Sequence, residues 1–170
     1  MKQKNKAVKT VKNGKRIVKK AKKVVAVSGG FDPLHIGHVR MFKEAKKLGG
    51  RLVVILNNDN WLRKKKGKEF MPETERKEII EAIECVDEVL ITSHSEKINF
   101  KDSYQKSVCE DLAKLKPHIF ANGGDRFADD IPEFKLCSEL GIEMIFNVGQ
   151  GGKVRSSSEL LKEYSKKTKK

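Results

Sequence analysis

Acidic residues are missing from the first 23 positions of this 170-residue chain, which hold eleven of its 37 lysines and arginines. With few apolar groups to bury, residues 1–23 are expected to be a solvated, disordered tail. They lack the apolar stretch of a secretory leader. No run in the chain approaches the ~20 apolar residues that span a bilayer, so no membrane helix and no membrane partner is expected. Cysteine is scarce and odd in number: Cys85, Cys109 and Cys137 are widely spaced, with no Cys-x-x-Cys. That pattern predicts reduced, buried thiols in a cytoplasmic protein. No cluster of His, Cys and Glu offers a zinc set, so no metal site made by the protein alone is expected. Internal repeats and paired carboxylates are absent as well.

The formal charge of +14 suggests a polyanion partner until it is partitioned. Residues 162–170 hold five lysines and one glutamate, so residues 24–161 carry 21 basic and 22 acidic groups, a balance of −1. The basicity belongs to the two ends. The expected organisation is a tail over 1–23, a single domain over 24–162 and a basic tail over 163–170. For the leading tail three readings stand: a solubilising segment, a localisation signal, or weak non-specific attraction to nucleic acid. The length suits one α/β domain with a full core.

Apolar runs alternate with amphipathic stretches along the chain. Val24-Val25-Ala26-Val27 predicts a buried strand, and Met41, Phe42, Ala45 and Leu48 one face of a helix that Gly49-Gly50 stops. Leu52 to Leu56 is apolar throughout, as a strand inside a parallel sheet would be. It runs into Asn57-Asn58-Asp59, Trp61 and the charged stretch Arg63 to Lys68, which reads as a loop, either solvated or phosphate-binding. Pro72 with Glu73 and Glu75 predicts a helix start, and Ile79, Ala82, Ile83 and Val86 its buried face. Arg76 opposes the dipole there; an anionic ligand or a salt bridge to a neighbouring Glu would explain it. Val86 to Ile91 is a third strand, and 92–103 an irregular polar stretch with His94 as an exposed loop residue. Val108, Leu112 and Leu115 mark a helix ended by Pro117, and residues 118–121 a fourth strand. Phe134, Leu136, Cys137 and Leu140 mark a helix closed by Gly141, and Ile142 to Val148 a fifth strand. Ser156, Ser157 and Ser158 stand where a helix N-cap would, ahead of Leu160 and Leu161.

This alternation predicts a Rossmann-like, doubly wound, five-stranded parallel sheet in a single domain. Such sheets bind ligands beyond the carboxyl ends of their strands, where 28–38, 57–68, 122–126 and 149–158 all fall. The first of these stretches contains Gly29-Gly30-Phe31-Asp32-Pro33-Leu34-His35-Ile36-Gly37-His38. Its glycines allow positive φ and close approach to a ligand. The free N–H groups of the following helix start favour phosphate. His35 and His38 are about one turn apart and can face one bound group. His38 could equally pack against Met41 and Phe42.

Taken whole, that stretch resembles the first motif of the nucleotidyltransferase superfamily, His-x-Gly-His after a first strand. Asn57-x-Asp59 with Lys66-Gly67, Glu75-Arg76, Val86-Asp87-x-Val89, Gly123-Gly124-Asp125 and Arg155-Ser156-Ser157-Ser158 resemble elements of bacterial adenylyltransferases acting on heptose phosphate. The likeness covers nearly all of 24–162. Glycerol-phosphate cytidylyltransferases are cousins, but Gly124 stands where they carry a first Asp, and Val154-Arg155 where they carry Gly-Ile before the last motif. The chain lacks the Lys-Met-Ser-Lys-Ser of class I aminoacyl-tRNA synthetases. The resemblance implies transfer of NMP from an NTP, ATP over CTP, to a phosphorylated small molecule such as a sugar phosphate, with Mg²⁺ accompanying the NTP. It implies a catalytic set of His35, His38 and Lys66. Nucleotide contacts would come from Gly29, Gly30, Phe31, Lys65, Asp125, Arg155, Ser156 and Ser157, and acceptor contacts from Asp32 and Arg76. Quaternary state is not readable, and a homodimer stays open.

Overall fold

A computed structural model describes residues 9–12, 15–18, 22–123, 131–149 and 155–167. Two short strands, β1 (Lys9–Lys12) and β2 (Lys15–Val18), pair antiparallel within the leading segment, with Thr10 opposite Ile17 and Lys12 opposite Lys15. This differs from the expectation of a wholly structureless tail.

The main sheet comprises β3 (Lys23–Gly29), β4 (Gly50–Leu56), β5 (Glu88–Ile91), β6 (Ile119–Gly123) and β7 (Glu143–Val148). All neighbours are parallel, in the order β5-β4-β3-β6-β7. The chain builds outward from β3 through β4 to β5, then returns to β3's other side. The carboxyl ends of β3 and β6 therefore flank a topological switch point. Alternate residues of each strand feed two cores. Val25, Val27, Leu52, Val54 and Leu56 pack against Met41, Phe42 and Ala45 of α1 (Ile36–Gly49) and Ile80 of α3 (Glu73–Glu81). Ala26, Ile55 and Phe120 pack against Leu112 of α4 (Cys109–Leu115) and Cys137 of α5 (Glu133–Leu140). Helices thus cover both faces, and the expected doubly wound five-stranded sheet is the one found. Cys109 and Cys137 are buried free thiols, and Cys85 is half-buried.

Three elements depart from the pattern read along the chain. The lysine run is not a loop but the second half of a helix, α2 (Asp59–Lys66), whose N-cap Asn58 accepts a hydrogen bond from the Trp61 N–H at 3.0 Å. Arg63, Lys64, Lys65 and Lys66 fill its last turn, where the negative end of the dipole favours cations. In α3 the buried residues are Arg76 and Ile80, whereas Ile79 is 43% exposed. In α5 they are Glu133 and Cys137, with Phe134 and Leu140 turned outward. Each helix is rotated because a charged residue of its first turn is buried on hydrogen bonds; Glu133 accepts from the Val108 N–H at 3.2 Å. A last helix, α6 (Ser157–Lys167), continues beyond the boundary expected at 162.

The rotation of α3 is directly testable. Ile80→Ala should cost about 2–5 kcal/mol in denaturant unfolding, the range for emptying a full core site. Ile79→Ala should stay within about 0.5 kcal/mol, as for an exposed position. Equal losses would restore the face first read from the sequence.

Candidate functional site

The chain leaves β3 through Gly29 and Gly30 into a tight turn. Neither glycine takes positive φ; Phe31 does, at φ 48°, a conformation that bulky residues rarely accept. Its ring folds back over Gly29, where an added Cβ would lie 2.9 Å from the ring edge. The same ring meets His38 edge-on at 4.9 Å and Phe42 at 5.1 Å between centroids. Gly30 faces Leu62 of α2, where an added Cβ would again lie only 2.9 Å away, from Leu62 Cδ2. The two glycines are therefore there to let Phe31 and α2 close on the turn.

Asp32 and Arg76, expected at the acceptor, are hydrogen-bonded into the frame of the turn. Asp32 is 1% exposed, and its two carboxylate oxygens accept the N–H groups of Phe70 and Met71, each at 2.8 Å. The Arg76 guanidinium is fully buried. It donates to the carbonyls of Gly30 (2.7 Å), Asn57 (2.9 Å) and Met71 (2.9 Å) and to the Asp59 carboxylate (2.6 Å). The oddity of an Arg in a first helical turn is thus a buried salt bridge, to Asp59 rather than a neighbouring Glu. Lys66, at the end of α2, donates to the Asp32 carbonyl at 2.9 Å, which brings its ammonium to the turn. Lys65 points elsewhere, 4.4 Å over the Trp61 ring.

His35 is the N-cap residue of α1 and His38 lies in its first turn. Their rings stack at 3.6 Å. The His35 N–H donates to His38 Nδ1 at 3.3 Å, so the neutral His38 ring carries its proton on Nε2. Burial, then the charges of His35 and Lys66, push the His38 pKa down to about 3. Burial also lowers His35, with Arg155 adding to it. Lys66 is lowered by burial and by Arg76, against the pull of Asp32. The site is a pair of neutral imidazoles with the Lys66 ammonium held at the same turn and the charge of Arg155 acting on His35. It has a ready demand for negative charge: an anion placed there would relieve the depression of both rings.

Three buried polar atoms without a partner among the described residues converge on the same sheet edge. They are His35 Nδ1, Asn57 Oδ1 at the end of β4 and Asn122 Nδ2 near the end of β6. Gly123 beside Asn122 is there for space, since a Cβ would fall 2.5 Å from Met41 Sδ. Gly124 and Asp125 lie outside the described residues. On α6 the Ser156 hydroxyl oxygen accepts the Glu159 N–H at 3.3 Å, the expected N-cap, and keeps its own proton to donate. The Ser157 hydroxyl, expected at the nucleotide, donates to the Pro33 carbonyl at 2.9 Å and so docks the helix onto the turn. Arg155 is exposed. Sequence reasoning placed Asn57 and Asn122 in stretches at the ligand edge of the sheet, and Asn57 in a motif, but assigned neither a role in the site. It also misjudged His94. The ring bonds Thr92 Oγ1 at 2.8 Å and the Ser107 carbonyl at 2.9 Å, pinning the 92–108 stretch.

Among the described residues no group of three His, Cys, Asp or Glu could hold a metal ion. Asp32 has both oxygens engaged and Asp59 is bound to Arg76, so neither is an open carboxylate ligand for Mg²⁺. No described helix is long and apolar enough to cross a membrane.

A family model described as Cytidylyltransferase-like matches residues 26–160. The Bifunctional protein HldE of Pelobacter propionicus is 32% identical over 150 residues, covering 86% of this chain and 28% of that protein. The FAD synthase of Ferroglobus placidus is 38% identical over 109 residues, covering 64% of this chain and 63% of that protein. The chain thus spans less than two thirds of the length of either relative. In three dimensions it is similar to the lipopolysaccharide core biosynthesis protein from Thermoplasma volcanium GSS1. The TM-score is 0.60 at 24% identity, covering 77% of this chain and 100% of that one. It is also similar to a bifunctional NMN adenylyltransferase/ADP ribose pyrophosphatase from Francisella tularensis. There the TM-score is 0.58 at 14% identity, covering 86% and 43%. The two solved structures bear out the Rossmann-like fold.

The depressed His38 has a measurable consequence. The unfolded chain takes up a proton there below pH 6.5, the folded one only near pH 3. Its contribution to stability is complete above pH 6.5 and is lost as pH falls toward 3. In urea unfolding, the stability gap between the native chain and His38→Gln should narrow steadily from about pH 7 to about pH 4. A gap that does not change with pH would show that the ring protonates in the folded state.

Proposed function

Because the chain belongs to the cytidylyltransferase-like family, we propose that it is a nucleotidyltransferase joining NMP from an NTP to a phosphorylated small molecule. The observation that carries this reading is the stacked, neutral His35–His38 pair at the start of α1, with the Lys66 ammonium held at the same turn. An acceptor phosphate is already an anion, so the reaction needs no serine or cysteine nucleophile. Its oxygen attacks the α-phosphate, forming a new P–O bond, while the bond from the α-phosphorus to the bridging oxygen breaks and pyrophosphate leaves with the electron pair. The protein's work is to align two polyanions and to stabilise charge growing on the transferring group. His38 Nε2–H, the Lys66 ammonium, the N–H groups at the start of α1 and the Ser156 hydroxyl are the donors suited to it. Asp32, Arg76 and Ser157 position them. Mg²⁺ accompanies the NTP in this reading, with no described residue assigned to it.

ATP is favoured over CTP. Gly123-Gly124-Asp125 and Arg155-Ser156 follow the adenylyltransferase pattern, and the relative named FAD synthase bears the name of a product that is itself an adenylate joined to a phosphate. A sugar phosphate is the favoured acceptor class. CTP with glycerol phosphate or a similar alcohol phosphate is the alternative within the same chemistry.

A pyrophosphate-release screen of four NTPs against sugar and alcohol phosphates tests the proposal. The highest kcat/KM should fall to ATP with a sugar phosphate. A CTP preference would overturn the adenylyl assignment alone, and no release from any pair would overturn nucleotidyl transfer. His38→Ala and Lys66→Ala should each lower turnover by about 10²–10³, as for loss of one transition-state donor. Lys65→Ala should leave turnover within a factor of about three, since Lys65 sits over Trp61. Near-native release by His38→Ala would remove that residue from the mechanism.

A further inference from the structure

We propose that Asn57 and Asn122 read the uncharged, hydroxyl-bearing part of a substrate, on the sheet face opposite α1. This rests on the nucleotidyltransferase reading and extends it to two residues with no role in it so far.

Strand alternation sets where the two amides stand. Ala26, Ile55 and Phe120 face α4 and α5. Residues two positions further on return to the same face, which puts Ser28, Asn57 and Asn122 there. Asn57 carries the β4 ladder one bond further, its N–H donating to the Gly29 carbonyl at 2.9 Å. β3 pairs with β4 on one side and β6 on the other, so the two amides flank its end. α1, which starts with the histidines, covers the other face, where Leu56 and Ala121 point.

Both side chains are buried, Asn57 at 5% exposure and Asn122 at 4%. Each ends in a buried polar atom with no partner among the described residues, Asn57 Oδ1 and Asn122 Nδ2. Buried polar groups are almost always hydrogen-bonded, and one left unmet weakens the fold. The ladder is also irregular beside Asn122. From Ala121 to Gly123 β6 advances two residues while β7 advances three, from Ile145 to Val148, with Asn147 at φ 57°. Bulges of this kind are frequent beside active sites, where they re-aim a side chain.

The two orphans differ in what they need. Asn57 Oδ1 only accepts, so ionised phosphate oxygens, which also only accept, cannot meet it. Asn122 Nδ2 only donates, so an ammonium group or a metal ion cannot meet that one. A hydroxyl is donor and acceptor at once and meets both. The pair therefore matches the hydroxyls of a sugar, either those of the phosphorylated acceptor or those of the NTP ribose. The site then divides by chemistry, with anion donors on the α1 side and neutral amides on the other.

Isothermal titration calorimetry on the full chain tests this without turnover. One arm compares Mg·ATP with its 2′-deoxy and 3′-deoxy counterparts. The other compares a panel of hexose phosphates with cyclohexyl phosphate, a ring phosphate without hydroxyls. In the arm whose sugar the amides read, the native chain should prefer the hydroxylated compound by about 10²-fold. Asn57→Leu and Asn122→Leu should each cut that preference at least about tenfold and leave binding of the hydroxyl-free compound unchanged. Each replaces an unmet polar group with an apolar one of the same branching, so both should keep or raise the native melting temperature. A loss in the hexose arm assigns the amides to the acceptor, and a loss in the ATP arm to the ribose. A lower melting temperature in either variant, no preference in either arm, or a preference that both variants keep would each overturn the proposal. Absent pyrophosphate release would sink nucleotidyl transfer, whereas these outcomes sink the amide assignment alone.

Discussion

One buried guanidinium ties together the four pieces of chain that make this site. Arg76 has no exposed side-chain surface, yet it binds the turn after β3, the end of β4, the start of α2 and the segment leading to α3. A buried cation that loses a partner costs several kcal/mol, so none of those pieces can drift without penalty. Asp32 closes the frame from the other side by taking the Phe70 and Met71 N–H groups. The outcome is a rigid ring of backbone around a bulky residue, Phe31, held in a conformation it would not choose alone.

That ring explains which parts of the molecule could be read in advance. Strands with apolar residues on both faces, helix stops at Gly50 and Gly141 and the serine cap of α6 follow from local chemistry, and they are where the pattern put them. The faces of α3 and α5 are not, because hydrophobic periodicity assigns Arg76 and Glu133 to water. Both are buried, and their partners come from distant segments that no local window contains. The same blindness hid the backbone partners of Asp32 and Arg76, which a local reading of a charged residue in a motif cannot supply. The histidines were legible because two of them one turn apart at a helix start leave few alternatives. The unpartnered amides of Asn57 and Asn122 were not, since an Asn ending a strand is ordinary until its neighbours are known.

The electrostatic state of the histidines ties the frame to the chemistry. Packing against Phe31 and stacking on His35 remove water from His38, and Lys66 stands close enough to oppose its protonation. Among the described residues the protein itself supplies no anion to the pair, while it holds their donors in place. Preorganised donors of this kind lose little to rearrangement when charge develops beside them. The placement of cations is equally economical: of the four basic residues that end α2, Lys66 turns to the ring and Lys65 to an indole.

Joining the Ser157 hydroxyl to the Pro33 carbonyl spans 124 positions of sequence, and the central strand β3 must also wait for β6 before its second edge is paired. Such long closures are entropically slow and come after local structure. β3, α1 and β4 are contiguous and can assemble as a unit, with the turn and both histidines inside it. The helix that completes the rim belongs to a later event. Local assembly of β3, α1 and β4 therefore needs nothing from the end of the chain, whereas the rim of the anion site is finished only by a segment more than a hundred positions away.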